Sequence, residues 1–218
     1  VLIAGQQTAG RGRLGRRWLS PPGANLYLSL CWRIDGEPAI LEGLSLAVGC
    51  AVAECLAFDL GVSIQLKWPN DLYLDNAKCG GVLIELATDP AGDWWVVIGL
   101  GLNVAMPAEN AAGIVTPWTD LASHASTPPA HTQVAGLVIT ALAHLLLEWP
   151  NRGFAAWQDR WMARDLLHGE CIRIQQATQS LHGRAAGIDA HGALCLETDE
   201  GTLKVQAGDA TIIRGSVA

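Results

Sequence analysis

The chain has 218 residues, half of them hydrophobic, with a formal charge of -7 and a pI near 5.3. That balance allows a sizeable core, in one large domain or a large and a small one, and argues against nucleic-acid binding by these residues. Six cysteines without a C-x-x-C spacing and six histidines without H-E-x-x-H argue against a protein-held metal and fit reduced core thiols of a cytoplasmic protein, while the longest uncharged apolar run, Gly43 to Ala53, falls short of the ~20 residues a bilayer span takes.

Val1 to Ala4 reads as a strand; because the chain starts without Met inside it, a domain is expected to have begun upstream. Gly10-Arg11-Gly12-Arg13-Leu14-Gly15-Arg16-Arg17 follows, placing four of the 14 Lys and Arg residues in eight positions of an acidic chain. Glycines let backbone N–H groups approach a ligand, and guanidinium forks take phosphate or carboxylate bidentately, so the stretch reads as an anion loop. The plainer alternative is a solvated basic loop. Gly10-x-Gly12-x-x-Gly15 also matches the dinucleotide-binding pattern, but that motif must open a helix, and Ser20-Pro21-Pro22-Gly23 breaks one before strand-like Leu26 to Leu30.

Asn25 to Ile34 is a predicted buried strand. Residues 39–60 follow helical spacing, with Leu41, Leu44, Ala47, Val48, Ala51, Val52, Cys55 and Leu56 on one stripe and a stop at Gly61. Val62 to Lys67 is the next strand and runs into Lys67-Trp68-Pro69-Asn70-Asp71, where a cation, an amide and a carboxylate crowd a turn. Lys67 can neutralise a phosphate or orient a carbonyl, and Asp71 can support a Mg²⁺ that arrives with a nucleotide; a plain turn with a Lys–Asp pair is the other reading. Lys78 is a second candidate cation, ahead of Gly80-Gly81 and the strand Val82 to Leu86. After a hairpin at Asp89 to Asp93, the return strand Trp94 to Val104 carries Gly99 and Gly101 on one face. They clear a flat wall for a ligand, unless they mark a bulge or tight sheet packing. Asn103 continues that face and can read a base edge.

A polar stretch to Thr132 is expected to be loop, with a short helix at Thr119 to Ser123. His131 to Trp149 is an amphipathic helix in which His144 is a core-edge residue, and Phe154 to Trp161 a short aromatic-rich one. From Gly169, five short segments (171–175, 181–188, 193–196, 203–206 and 211–213) read as a small SH3-like barrel. Asp209 and Arg214 are within reach of the large domain's ligand, although surface charge is the simpler reading.

Taken in order, the Gln7 to Arg16 loop, Ser20 to Tyr27, Lys67-Trp68-Pro69-Asn70-Asp71, Lys78-x-Gly80-Gly81 with Glu85, Gly99-x-Gly101-x-Asn103 and the terminal barrel closely resemble the bacterial biotin protein ligases over nearly the whole chain. The resemblance implies an α+β fold: a class II aminoacyl-tRNA-synthetase-like catalytic domain (1–166), its mixed sheet flanked by helices, and an SH3-like barrel (167–218). It implies that biotin's carboxylate attacks the α-phosphorus of ATP and that the biotinyl-5′-AMP formed is passed to a lysine of the biotin carboxyl carrier protein of acetyl-CoA carboxylase. Such chemistry needs charge neutralisation and alignment, not an enzyme nucleophile.

By the same resemblance Lys67, Arg11, Arg13 and Arg16 are the catalytic cations. Gln7, Gly10, Arg11, Arg13, Lys67, Gly99 and Gly101 bind biotin. Arg13, Arg16, Trp18, Lys78 and Asn103 hold the nucleotide, and the loop closes over the adenylate; Asp71, from the residues themselves, is the candidate for Mg²⁺ support. The pattern departs at Leu14, where a basic residue is usual. The upstream Ser-Thr-Asn segment and any winged helix-turn-helix lie outside these residues. The resemblance further implies that two copies can pair through a sheet edge. Two rival readings are a lipoate-type protein ligase and a biotinyl-AMP-responsive repressor or sensor without catalysis.

Overall fold

In the computed structural model, which describes residues 1–111 and 113–213, six strands make one antiparallel sheet. They are β1 (Leu2–Ala4), β2 (Asn25–Ile34), β3 (Gln65–Lys67), β4 (Asp71–Leu74), β5 (Ala77–Thr88) and β6 (Trp94–Asn103), ordered β1-β2-β6-β5-β4-β3. Every neighbouring pair is antiparallel. Among the described residues, parallel pairing is limited to the single bridges Leu66–Asp165 and Lys78–Trp118, so the expected mixed sheet is realised only there.

Side chains alternate along a strand, so the register sorts residues onto two faces. Leu26, Leu28 and Leu30 lie opposite Leu102, Leu100 and Ile98, and all six are buried. The other face carries, strand by strand, Tyr27, Gly101, Gly81, Asp71 and Lys67 directly opposite one another. One face is the core; the other holds every polar group singled out on these strands.

Two helices, α1 (Leu44–Leu60) and α2 (His131–Arg152), pack against each other and against the apolar face. The helix expected over 39–60 is interrupted. A 3₁₀ turn spans Pro38–Leu41, and Gly43, at φ +76°, starts α1 by accepting the Leu46 and Ala47 N–H groups. A Cβ at Gly43 would run into the Phe154 ring, which is why the chain turns there. The stripe also understated α1: every residue from Leu46 to Ala53 is buried. By length and composition 38–60 and 131–152 could each cross a bilayer, but α1 spends its apolar surface inside this core.

The aromatic segment forms a 3₁₀ turn (Phe154–Ala156) and a short α3 (Gln158–Met162), with Phe154, Trp157 and Trp161 buried in the common core. The helix expected at 119–123 is instead a capped turn. The Asp120 carboxylate accepts from Met106 N at 2.7 Å, Ser123 N at 2.9 Å and the Ser123 hydroxyl at 2.6 Å, and these bonds compete with helix.

Five further strands, β7 (Cys171–Gln175), β8 (Ser180–Ile188), β9 (Leu194–Thr198), β10 (Gly201–Val205) and β11 (Asp209–Ile212), form a second antiparallel sheet ordered β10-β9-β8-β7-β11. It docks on the large unit through specific bonds. Trp68 Nε1 donates to Gly192 O at 3.1 Å, and Gln158 Nε2 donates to Ile188 O at 3.0 Å. Arg214 lies outside the described residues.

The connection between the two sheets passes Asp165, beside β3. Its Oδ1 accepts the Leu167 N–H at 2.9 Å, while Oδ2 is buried without a partner among the described residues. Burial pushes this carboxyl up from 3.8 to about 6. The folded protein therefore holds the proton more tightly than the unfolded chain. The cost of ionising Asp165 is absent below pH 3.8 and complete above about pH 6. Asp165→Asn keeps the Oδ1 acceptor and removes the charge. It should stabilise the protein by on the order of 2 kcal/mol at pH 8 and hardly at all near pH 4. Urea unfolding at the two pH values checks this; an equal gain at both would refute the assignment.

Candidate active site

A cavity of ≈ 540 Å³ opens on the polar face of the large sheet, over Gly99, Gly101 and Gly81. Five cations line it, Arg11, Arg13, Arg16, Arg17 and Lys78, against three carboxylates, Asp71, Glu85 and Asp209. In a chain of net charge -7 this local excess of positive charge marks a site for an anion. The lining contains no cysteine and no histidine. Cys79, next to Lys78 in the chain, faces the core, and burial pushes its thiol up to about 12.

The Arg/Gly stretch is a folded hairpin. Gly12 N donates to Arg16 O at 2.7 Å and Trp18 N to Gly10 O at 2.9 Å, while Arg11 and Arg17 bridge. Leu14 stands at its tip with φ +56° and is largely exposed, so the apolar departure from the pattern touches nothing in the site. A Cβ at Gly10 would sit 2.6 Å from Trp18 O, so the hairpin needs glycine there, and Gly10 is not among the residues lining the cavity. Arg11 pairs with Glu85 at 3.5 Å. Arg13 Nη1 lies 3.4 Å from Gly208 O and 3.5 Å from Asn70 Oδ1, and Arg16 pairs with Asp209. The loop is thus tethered to the second sheet. Burial lowers the Arg13 pKa while Asp209 and Asp71 pull it back, the mark of a cation taken partly out of water beside carboxylates.

The glycine wall exists, but its occupant is the chain's own indole. A Cβ on Gly101 would lie 2.6–2.8 Å from three atoms of Trp18, whose ring is capped by Lys78 Nζ at 5.5 Å. Trp18 Nε1 is buried with no hydrogen-bond partner among the described residues, a donor that an incoming acceptor could satisfy. At Gly99 a Cβ would meet only Leu83, at 3.5–3.6 Å, so the open part of the wall lies there. Asn103, also in the lining, donates through Nδ2 to Thr119 O at 2.9 Å.

Asp71 and Lys78 pair at 2.5 Å, the register placing both on the site face. Asp71 is thereby committed to an ammonium. Among the described residues no three His, Cys, Asp or Glu converge as a metal cage. These residues do not fit a protein-held Mg²⁺. Asn70 is mainly a brace, with Nδ2 to Val82 O at 2.7 Å and its carbonyl accepting Val82 N at 2.9 Å.

Lys67 stands apart. It shares the face with Asp71 but is not in the cavity lining; its ammonium lies 5.5 Å from the Tyr73 ring centre. It makes no hydrogen bond or ion pair among the described residues, and burial lowers its pKa, partly offset by Asp71. An ammonium held half out of water without a partner is poised for an anion.

Of the twelve residues singled out from sequence, ten line the cavity; Gly10 and Lys67 do not. The strap from Gly113 to Trp118 was missed. It borders the cavity and is pinned to β5 by Lys78 N to Pro117 O at 2.8 Å and Thr119 N to Lys78 O at 3.0 Å. Its signal was Ile114-Val115 in a polar stretch, Val115 being almost wholly exposed.

The model of the biotin/lipoate A/B protein ligase family matches residues 1–103, and that of the biotin protein ligase C-terminal domain residues 167–211. The chain is 36% identical over 214 residues to the bifunctional ligase/repressor BirA of Escherichia coli, covering 98% of this chain and 66% of that protein, so it spans just under two thirds of that relative. It is 36% identical to the biotin–[acetyl-CoA-carboxylase] ligase of Mycobacterium tuberculosis, covering 98% of this chain and 79% of the other. Among solved structures, biotin protein ligase from Aquifex aeolicus in complex with biotin and ATP superposes with a TM-score of 0.82 at 28% identity, covering 98% of this chain and 88% of that one.

Proposed function

This chain belongs to the bacterial biotin protein ligases, and from that premise we propose that its protein activates biotin with ATP and transfers it to the lysine of a biotin carboxyl carrier protein. The observation that carries the reading is the cavity itself: a glycine floor ringed by cations, with no cysteine or histidine to act as nucleophile. The biotin carboxylate bonds to the α-phosphorus as the bond to the β-phosphate breaks and pyrophosphate leaves, and negative charge gathers in the transition state. Arg11, Arg13, Arg16 and Lys78 offset that charge from positions fixed before the reaction, and Lys67 adds a cation from the edge of the site. The open wall at Gly99 takes the biotin ring, and Trp18 with Asn103 takes the adenine. The lysine amine then attacks the acyl carbon and AMP leaves. Asp71 serves by holding the Lys78 ammonium in place through their ion pair.

Absence of a lining thiol favours this reading over an octanoyl transferase working through a cysteine, and the match over 167–211 favours biotin over lipoate. We also read the large unit as class II synthetase-like, the second sheet as an SH3-like barrel beginning near residue 167, and the compartment as the cytoplasm. Pairing of two copies through a sheet edge, with β1 outermost in the large sheet, belongs to the same reading. A role in repression is the second reading, the Escherichia coli relative being a bifunctional ligase/repressor.

Biotin-dependent exchange of pyrophosphate into ATP tests the proposal, with lipoate and octanoate run in parallel. Exchange with biotin alone is expected. Exchange with lipoate would overturn the substrate, and no exchange with any acid would leave the repressor-type sensor as the better reading.

A further inference from the structure

The strap residue Thr119 touches three groups at once. Its carbonyl accepts Asn103 Nδ2 at 2.9 Å, its N–H donates to Lys78 O at 3.0 Å, and its hydroxyl lies 2.8 Å from His124 Nε2. On the far side of the imidazole, Nδ1 faces the Asp75 carboxylate at 3.3 Å. A carboxylate beside Nδ1 favours the tautomer protonated there, which leaves Nε2 to accept the Thr119 hydroxyl. Asp75 belongs to the β4–β5 turn, so the chain Asp75–His124–Thr119 ties the strap to the large sheet from outside the cavity.

The Thr119 carbonyl, on a backbone also held by Lys78, sets which way the Asn103 amide points. With Nδ2 drawn to the Thr119 carbonyl, a flipped amide would set two oxygens against each other. Asn103 Oδ1 has no hydrogen-bond partner among the described residues, and Asn103 lines the cavity. The amide therefore offers the cavity an acceptor, together with the second N–H of Nδ2. Adenine and guanine both present N7 as an acceptor, but at the neighbouring position adenine carries an amine and guanine a carbonyl. The acceptor is what tells them apart.

We propose that His124, held by Asp75, is a specificity-determining positioning residue: by fixing Thr119 it orients Asn103 Oδ1 to accept the exocyclic amine of adenine and to reject guanine. The inference rests on the ligase reading only in assigning a nucleotide to this cavity. His124 itself is not in the lining, so it acts only through Thr119 and Asn103.

The test is equilibrium binding of ATP, GTP and purine riboside 5′-triphosphate, which lacks the amine, to the full chain and to His124→Ala, by titration calorimetry. Wild type should favour ATP over both others. His124→Ala should lose about tenfold of that preference, by weakening ATP and leaving purine riboside triphosphate unchanged. Thr119→Val should behave like His124→Ala, and Thr119→Ser like wild type. Where pyrophosphate exchange is measurable, KM for ATP should rise with kcat little changed. The inference is overturned if wild type does not discriminate, if His124→Ala keeps the wild-type ratio, or if ATP and purine riboside triphosphate weaken equally, which would mean collapse of the strap. Because binding is read without biotin, these results stand apart from failure of biotin activation, which exchange alone reports.

Discussion

Replacing Lys67 with alanine should lower biotin-dependent pyrophosphate exchange by about 10²–10³-fold, the usual loss when one preorganised charge donor is removed from a forming anion. Lys67 is suited to this because its half-buried ammonium has no ion-pair partner among the described residues to give up, unlike Lys78, Arg11 and Arg16. Its pKa also supplies a pH signature. Burial lowers it from the ordinary 10.5, so wild-type activity should fall on the alkaline side below that value as the ammonium loses its proton. Lys67→Arg stays charged throughout and should lack that limb, whatever its absolute rate. An unchanged exchange rate in Lys67→Ala would remove Lys67 from the chemistry.

The second large effect is expected at Gly101. Any side chain there collides with the Trp18 indole at 2.6–2.8 Å, between a sheet that cannot retreat and the Lys78 ammonium above. Gly101→Val should expel Trp18, cost about 1–3 kcal/mol in overpacking and weaken ATP binding by about a hundredfold or more, while biotin, which we propose sits by Gly99, is affected less. The control is Gly101→Ala combined with Trp18→Ala. Relief of the clash should make the double variant more stable than the sum of the singles, by a coupling of about 0.5–3 kcal/mol. Strict additivity in thermal or urea unfolding would show that the two residues do not meet.

The comparison of Lys67 with Gly101 shows what can be read from a sequence of this kind. Strand alternation is local, so the sharing of one face by Gly99, Gly101 and Asn103 was legible from β6 alone, and charge density made the Arg/Gly loop stand out. What rests on that face was not legible, because Trp18 and Gly101 are brought together by chain folding across the 82 positions between them. Likewise Asp71 looked free for a metal until the β4–β5 register set it against Lys78. Helical spacing in α1 picked out a stripe, but a helix enclosed by a sheet, α2 and α3 is buried on nearly every side. The strap escaped notice because it is held by backbone bonds to Lys78 and a side-chain bond to His124, neither of which leaves a periodic pattern.

The grip of Arg13 on the Gly208 carbonyl and of Arg16 on the Asp209 carboxylate bears on how such a protein can be re-engineered. The second sheet contributes the counter-charge that lets several arginines sit together in the resting loop. A foreign module grafted after the large unit would have to bring a carbonyl and a carboxylate to those same two places. Otherwise the loop would repel itself and the graft would be inherited as a defect in the other half of the molecule. The two units are therefore exchangeable only as a matched set, however cleanly their sheets divide.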